Sequence, residues 1–103
     1  MAQIARLTTP AFTYKPSAVE VPDINKIYLV IKQGATEIVR KDITQASISQ
    51  DGFTWTLSQT ETEMLILKQS AIVQVDYLTT AGMRYTTIPK AYEITNSAIN
   101  EVL

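Results

Sequence analysis

Residues 70–80 alternate between apolar and mixed side chains, and this run constrains the fold more than any other feature of the sequence. A period of two residues is typical of a strand that packs one face against a core. The face predicted to meet the core consists of Ala71, Val73, Val75 and Tyr77. A turn at 80–83 follows, in which Gly82 is best able to take a positive φ, and residues 83–88 then alternate again. Pro89 interrupts this second run, which resumes at 91–94, so the segment predicts a hairpin with an irregular return strand.

Several other short runs are apolar or alternating and are bounded by turn residues. The strands predicted from them are 11–15, 24–33, 36–42, 46–49 and 53–57. Phe53, Trp55 and Leu57 form the cleanest alternation in the chain, so Trp55 is expected at the centre of the core. Six or seven short strands joined by turns favour an all-β fold, an antiparallel two-sheet sandwich, over a βαβ fold, which would need longer helices.

One short crossover helix is predicted near residues 59–66. Ser58 and Thr60 are each followed three residues later by a glutamate, Glu61 or Glu63, and either pair suits a capping box. Three apolar residues are predicted to point from this segment towards the core: Met64, Leu65 and Leu67.

The length of 103 residues allows one domain, with residues 1–10 as an N-terminal arm and 95–103 as a C-terminal tail. Cysteine and histidine are absent, which excludes disulfides, thiolate nucleophiles, histidine bases and Cys/His zinc sites. The net charge is −1 and no basic stripe occurs, so nucleic acid binding is not expected. No signal peptide and no apolar run long enough to span a membrane are present, so a soluble intracellular protein, not secreted by a signal peptide, is expected.

Acidic residues are the remaining candidates for catalysis or metal binding. Asp42, Asp51 and Asp76 would form a carboxylate pair or a metal site if the fold brought them together. Structural roles are the favoured interpretation, since Asp51 belongs to a turn, Asp42 ends a hairpin arm and Asp76 lies on a solvent-facing strand phase. No phosphate-binding glycine loop or other cofactor motif occurs, so no catalytic residue, metal or cofactor is predicted.

Four aromatic residues offer an alternative function. An exposed platform of Tyr28, Trp55, Tyr77 and Tyr85 would make the chain a carbohydrate-binding β-sandwich module. Each of them, however, lies among aliphatic neighbours in an alternating strand, which favours core packing.

Apolar residues also occur outside the strongest strand pattern, near both ends of the chain. These are Ile4, Leu7, Ile99, Val102 and Leu103. They either cover the ends of the sandwich or form an interface with other subunits, and the second interpretation makes them the predicted interface residues.

The order of motifs along the chain resembles a known group of proteins. The motifs are Thr8-Thr-Pro-Ala-Phe-Thr-Tyr14, Ile27-Tyr-Leu-Val-Ile-Lys-Gln-Gly34, Leu57-Ser-Gln-Thr-Glu-Thr62, the alternating run 72–77, Ala81-Gly-Met-Arg84 and the closing segment 96–103. They resemble small proteins encoded in prophages of Gram-positive gut bacteria and, more distantly, the immunoglobulin-like N-terminal domain of phage baseplate upper proteins.

This resemblance implies an immunoglobulin-like sandwich and a tail-associated or baseplate-associated structural protein that works by assembly. It also implies that the protein is in the bacterial cytoplasm during expression. It implies partners among other phage structural proteins or further copies of the chain, a place in the virion, and no catalytic residues. Baseplate proteins continue beyond this domain, whereas this chain ends at Leu103. An adaptor or assembly role is therefore expected in preference to host recognition.

Overall fold

The computed structural model describes residues 2–103 and is predominantly β-structure. In chain order the strands are β1 (Ala2–Ala5), β2 (Ala11–Tyr14), β3 (Ile24–Gln33), β4 (Thr36–Lys41), β5 (Ser47–Ile48), β6 (Phe53–Thr56), β7 (Ala71–Thr79), β8 (Arg84–Thr86) and β9 (Lys90–Thr95). One α-helix, α1 (Gln59–Glu63), joins β6 to β7, and 3₁₀ turns occupy Val21–Asp23 and Ile43–Gln45.

The strands form two sheets. The larger has the order β1-β9-β7-β3-β4 with β8 also paired to β7, and the smaller has the order β2-β6-β5. The all-β prediction is confirmed, but residues 2–103 contain nine strands instead of the expected six or seven. The arrangement is also not wholly antiparallel, because β1 runs parallel to β9, with Ala2 opposite Tyr92 and Ala5 opposite Thr95.

The long central pair β3–β7 carries most of the core. Their antiparallel register places Leu29 opposite Val75 and Ile31 opposite Val73. The alternation in 70–80 is seen directly in burial, since every second residue of β7 from Ala71 to Thr79 is buried. Burial of one face of each strand removes apolar surface from water, which stabilises the folded chain by roughly 25 cal/mol per Å².

Trp55 lies at the core centre, as its strand pattern predicts, and is 0% exposed. Its ring stacks on Phe53 with centroids 6.1 Å apart. Its indole Nε1 donates to the Asp42 carbonyl at 2.9 Å, so the buried N–H has a partner. This bond also ties β6 to the 3₁₀ turn after β4.

Gly52 permits the close approach of β2 and β6. A Cβ at this position would lie 2.5 Å from the carbonyl oxygen of Tyr14, closer than side-chain atoms come to a backbone oxygen. The turn before β6 therefore needs glycine for lack of space.

The crossover helix is confirmed but is shorter than 59–66. Ser58 is its N-cap: its hydroxyl accepts from the Glu61 N–H at 3.1 Å, and the Glu61 carboxylate accepts from the Ser58 N–H at 2.8 Å. Thr60 is therefore not the cap. Of the residues expected to face the core, Leu65 is 1% exposed and Leu67 is partly buried, whereas Met64 is 52% exposed.

The two ends of the chain differ from each other. The segment described from its sequence as an N-terminal arm contains β1, and its residues Ile4 and Leu7 are buried at 2% and 8% exposure. The tail beyond β9 forms neither helix nor strand. Ile4 and Leu7 thus fill the core of their own chain because β1 extends the larger sheet. Of the two interpretations given for them, this burial favours the one in which they cover the sandwich.

Candidate functional site

The three aspartates considered for catalysis, Asp42, Asp51 and Asp76, are held in separate structural roles. Asp42 caps the 3₁₀ turn, and its Oδ1 accepts from the Thr44 N–H at 2.9 Å. Asp51 lies in the turn before β6, where its N–H donates to the Ser49 hydroxyl at 3.3 Å. Asp76 on β7 accepts from Arg84 Nη2 on β8 at 3.1 Å.

Local partners explain the acidity of two of these groups. A hydrogen bond from the Thr44 side chain lowers the pKa of Asp42, together with backbone N–H groups of the same turn. A hydrogen bond from Thr86 lowers the pKa of Asp76, and the Arg84 guanidinium lowers it further. Both carboxylates are thereby held ionised, whereas a general acid would need a raised pKa.

Within residues 2–103, no group of three acidic side chains is placed to hold a metal ion. The same part of the chain contains no helix long and apolar enough to cross a bilayer.

The four aromatic residues do not form one exposed platform. Trp55 and Tyr77 are buried, and Tyr85 stacks on Tyr77 with centroids 5.2 Å apart. Tyr14 donates its hydroxyl proton to the Tyr77 oxygen at 3.3 Å, and burial with this contact raises the pKa of Tyr14. Tyr28 lies elsewhere, on the outer face of the larger sheet beneath Arg40, whose guanidinium carbon is 5.8 Å from the ring centroid.

A groove lies at the loop end of the sandwich, between residues 16–22 and 48–51, with a volume of about 810 Å³. Its only aromatic side chain is Phe53, which is 1% exposed. It therefore offers no exposed ring on which a sugar would stack.

Exposed apolar side chains are concentrated at the opposite end. The large apolar residues exposed within 2–103 are Ile48, Met64, Ile66, Met83, Ile88, Ile99, Val102 and Leu103. Five of these lie either directly after α1 or in the C-terminal tail. We call these five, Met64, Ile66, Ile99, Val102 and Leu103, the helix-end patch.

Two sets of hydrogen bonds hold the tail beside α1. Arg6 donates to the Glu63 carbonyl at 3.0 Å and to the Asn96 side chain at 3.4 Å. The Gln59 side chain accepts from the Leu103 N–H at 2.7 Å and donates to the Leu103 carbonyl at 3.4 Å. The tail is therefore fastened at both ends, and Ile99 and Val102 lie between the two fastening points.

Gln33 fixes the other half of the patch. Although it is 3% exposed, its amide is fully used: Nε2 donates to the carbonyls of Ile66 at 2.8 Å and Gln69 at 3.2 Å. Its Oε1 accepts from the Ile66 N–H at 2.8 Å. This side chain at the end of β3 thus sets the backbone on which Ile66 stands, while the Ile66 side chain is left 51% exposed.

Two non-glycine residues with positive φ border this end, Leu7 (63°) and Lys68 (65°). The left-handed region costs an L-residue about 1–2 kcal/mol. At Leu7 the burial of the side chain offsets that cost, since the turn between β1 and β2 places it in the core.

Three of the five interface residues predicted from the sequence, Ile99, Val102 and Leu103, therefore lie together in the exposed patch. Met64 and Ile66 were missed. The signal that identifies them is their position on either side of Leu65: because Leu65 is buried, its two neighbours in the irregular segment after α1 project outwards.

Comparisons with protein-family models, with curated proteins and with solved structures found no match to this chain.

Proposed function

We propose that this chain is a structural or assembly protein of a phage or prophage, associated with the tail or baseplate, that acts by binding other proteins. The observation that carries the proposal is the helix-end patch. It holds five of the eight large apolar side chains that are exposed within residues 2–103, at one end of a molecule 45 Å long. Monomeric proteins rarely leave such groups clustered in water, and clustered apolar surface is typical of interaction sites.

The fold is consistent with the proposed class, an immunoglobulin-like sandwich. In that fold the second, fifth and fourth strands (B, E, D) form one sheet, and the third, sixth and seventh (C, F, G) form the other. Here β2-β6-β5 corresponds to B-E-D, and β9-β7-β3 corresponds to G-F-C, with β4 beside β3 as an added strand. The chain departs from antibody domains in having no cysteine pair and in carrying its core tryptophan on β6 instead of β3.

The fastening of the tail supports an interface role for it. Ordering a segment reduces its conformational entropy, which costs roughly 1–2 kcal/mol of free energy per residue. Ile99, Val102 and Leu103 are at least half exposed, so their side chains gain little from burial within this chain. A partner that covers them adds the burial that offsets this cost.

The carbohydrate-binding alternative stays a prediction that no observation favours. Two of its four aromatic residues, Trp55 and Tyr77, are core residues, and the groove at the loop end offers no exposed ring.

Separation of particles tests the proposal. Phage particles and tail intermediates, induced from the bacterial strain that encodes this chain, are resolved on a density gradient, and each fraction is probed for the chain. We expect it to sediment with tails or tail intermediates. Its absence from every particle and intermediate fraction would overturn the assignment.

A matched pair of substitutions tests the surface. Ile66→Ser removes an apolar group that is 51% exposed in the patch, and Ile48→Ser removes one that is 54% exposed at the loop end. We expect Ile66→Ser to lower the amount of chain in the particle fractions and Ile48→Ser to leave it unchanged. An equal effect of the two substitutions would contradict the patch as the interface.

A further inference from the structure

The smaller sheet does not cover the whole inner face of the larger one. Its outermost strand, β2, packs over β7 and the near side of β9: Tyr14 contacts Tyr77, and Phe12 meets Tyr92 edge-on at 5.8 Å. Within residues 2–103 no strand lies on the far side of β2. Beyond it, the link between β8 and β9 is left uncovered, and Ile88 there is 89% exposed.

The free edge of β2 carries unpaired backbone groups. The Pro10 carbonyl accepts from the Leu57 N–H at 2.9 Å, and Ala11 is opposite Thr56 in the register that follows. In an antiparallel pair, hydrogen-bonded positions alternate along the strand, so Phe12 points its N–H and C=O towards β6. The backbone N–H and C=O groups of Ala11 and Thr13 therefore point towards the open side, where an added strand would hydrogen-bond with them.

A slot of about 400 Å³ lies between this edge and the β8–β9 link. Its floor is apolar: the half-buried rings of Phe12 and Tyr92 and the exposed Ile88 side chain form it, in front of the buried core. Thr87 holds the link against β7, since its N–H donates to the Val75 carbonyl at 3.0 Å and its hydroxyl accepts from the Val75 N–H at 2.9 Å. An apolar floor beside an unpaired strand edge fits an extended peptide that adds to the sheet.

The slot carries a positive charge, which favours peptides with an acidic residue. Of its lining residues only Lys90 is charged, and its ammonium lies 5.3 Å from the centroid of the Tyr92 ring. A strand that fills the slot should therefore bring a carboxylate between apolar side chains. The tail of this chain has that pattern: in extended form, Ile99, Glu101 and Leu103 share one face.

We propose that the slot beside β2 receives the tail of a second copy of this chain as an added strand, with Glu101 facing Lys90. This inference rests on the proposed function, because it names a second copy of this chain as the protein that the tail binds. The tail then loses its two hydrogen bonds to the Gln59 side chain and forms new ones with the backbone N–H and C=O groups of Ala11 and Thr13.

The test is the mass of the purified full chain by light scattering after size exclusion, measured across a range of concentrations. We expect a discrete oligomer that Lys90→Glu or Glu101→Lys each weakens by about tenfold or more, because like charges then face each other in the interface. The double variant should recover association. Lys15→Glu, an exposed change outside the slot lining, should have no effect.

Equal association of the wild type and both single variants would overturn the inference, as would a double variant that associates no better than the single ones. A wild type that is monomeric at every concentration would also overturn it. The proposed function would still stand if this monomer sedimented with phage particles. Conversely, the proposed function alone would fail if the chain self-associated but did not sediment with phage particles.

Discussion

Replacing Gln33 by leucine tests whether one buried amide holds the helix end in place. The substitution keeps the approximate size of the side chain and removes its hydrogen bonds to the N–H and carbonyl of Ile66 and to the carbonyl of Gln69. Those backbone groups lose their partner where leucine cannot replace it. The backbone around Ile66 should then become mobile, and the helix-end patch should lose its fixed shape.

The expected size of the effect follows from these contacts. A buried polar group left without a partner costs about 1–3 kcal/mol, and water reaches part of this segment because Ile66 is 51% exposed. We therefore expect Gln33→Leu to lower the free energy of unfolding by about 2–4 kcal/mol, from a total of about 5–15 kcal/mol for a domain of this kind. With an m-value of about 1.5 kcal/mol per M, the urea midpoint falls by about 2 M.

Urea unfolding followed by circular dichroism provides the measurement, with Gln45→Leu as the matched control. Gln45 is exposed and accepts one hydrogen bond, from the Asp42 N–H at 3.0 Å. Its replacement should cost about 0.5–1 kcal/mol. The reasoning is refuted if Gln33→Leu is no more destabilising than this control.

Two further predictions concern α1. Because Ser58 is the N-cap, Ser58→Ala should lower the free energy of unfolding by about 1 kcal/mol, and Thr60→Ala by less than half of that. Equal losses for the two variants in urea unfolding would contradict this assignment. Partial burial by itself would raise the pKa of Glu61, but the Lys41 ammonium at 2.8 Å and the hydrogen bonds with Ser58 outweigh it, so its pKa lies below the usual value. This carboxylate therefore stabilises the fold above its unfolded pKa of about 4.3, and the stabilisation is lost as the pH falls through the lower folded pKa. The urea midpoint of Glu61→Gln should fall less than that of the wild type between about pH 5 and about pH 3, and parallel curves would refute the ion pair as a source of stability.

Local patterns predicted the elements whose partners lie close in sequence. The alternation in β7, the β3–β4 hairpin and the burial of Trp55 all follow from which residues share one face of a strand. The sequence predicts the capping box as well, but two overlapping pairs have the same spacing. The reciprocal hydrogen bonds between Ser58 and Glu61 in the structure identify Ser58 as the cap.

Pairing between distant residues was not predictable in this way. Strand β1 has four residues and pairs with a strand about ninety residues away, so no local pattern shows that Ile4 is a core residue. The sequence likewise has apolar residues at Met64, Leu65 and Leu67 and does not show which of these side chains is buried. That outcome depends on the bonds from Gln33, a polar residue that the sequence alone gives no reason to bury.

The central claim, that the helix-end patch is covered when the chain assembles, is tested most directly by two methionines. Met64 lies in the patch and is 52% exposed, and Met83 lies in the turn at the far end of β7 and is 57% exposed. Peroxide converts exposed methionine to the sulfoxide, so mass spectrometry of the free and the particle-bound chain gives a rate for each residue. We predict that assembly slows the oxidation of Met64 and leaves that of Met83 unchanged. Equal rates for Met64 in the free and bound chain, or protection of Met83 alone, would contradict the account.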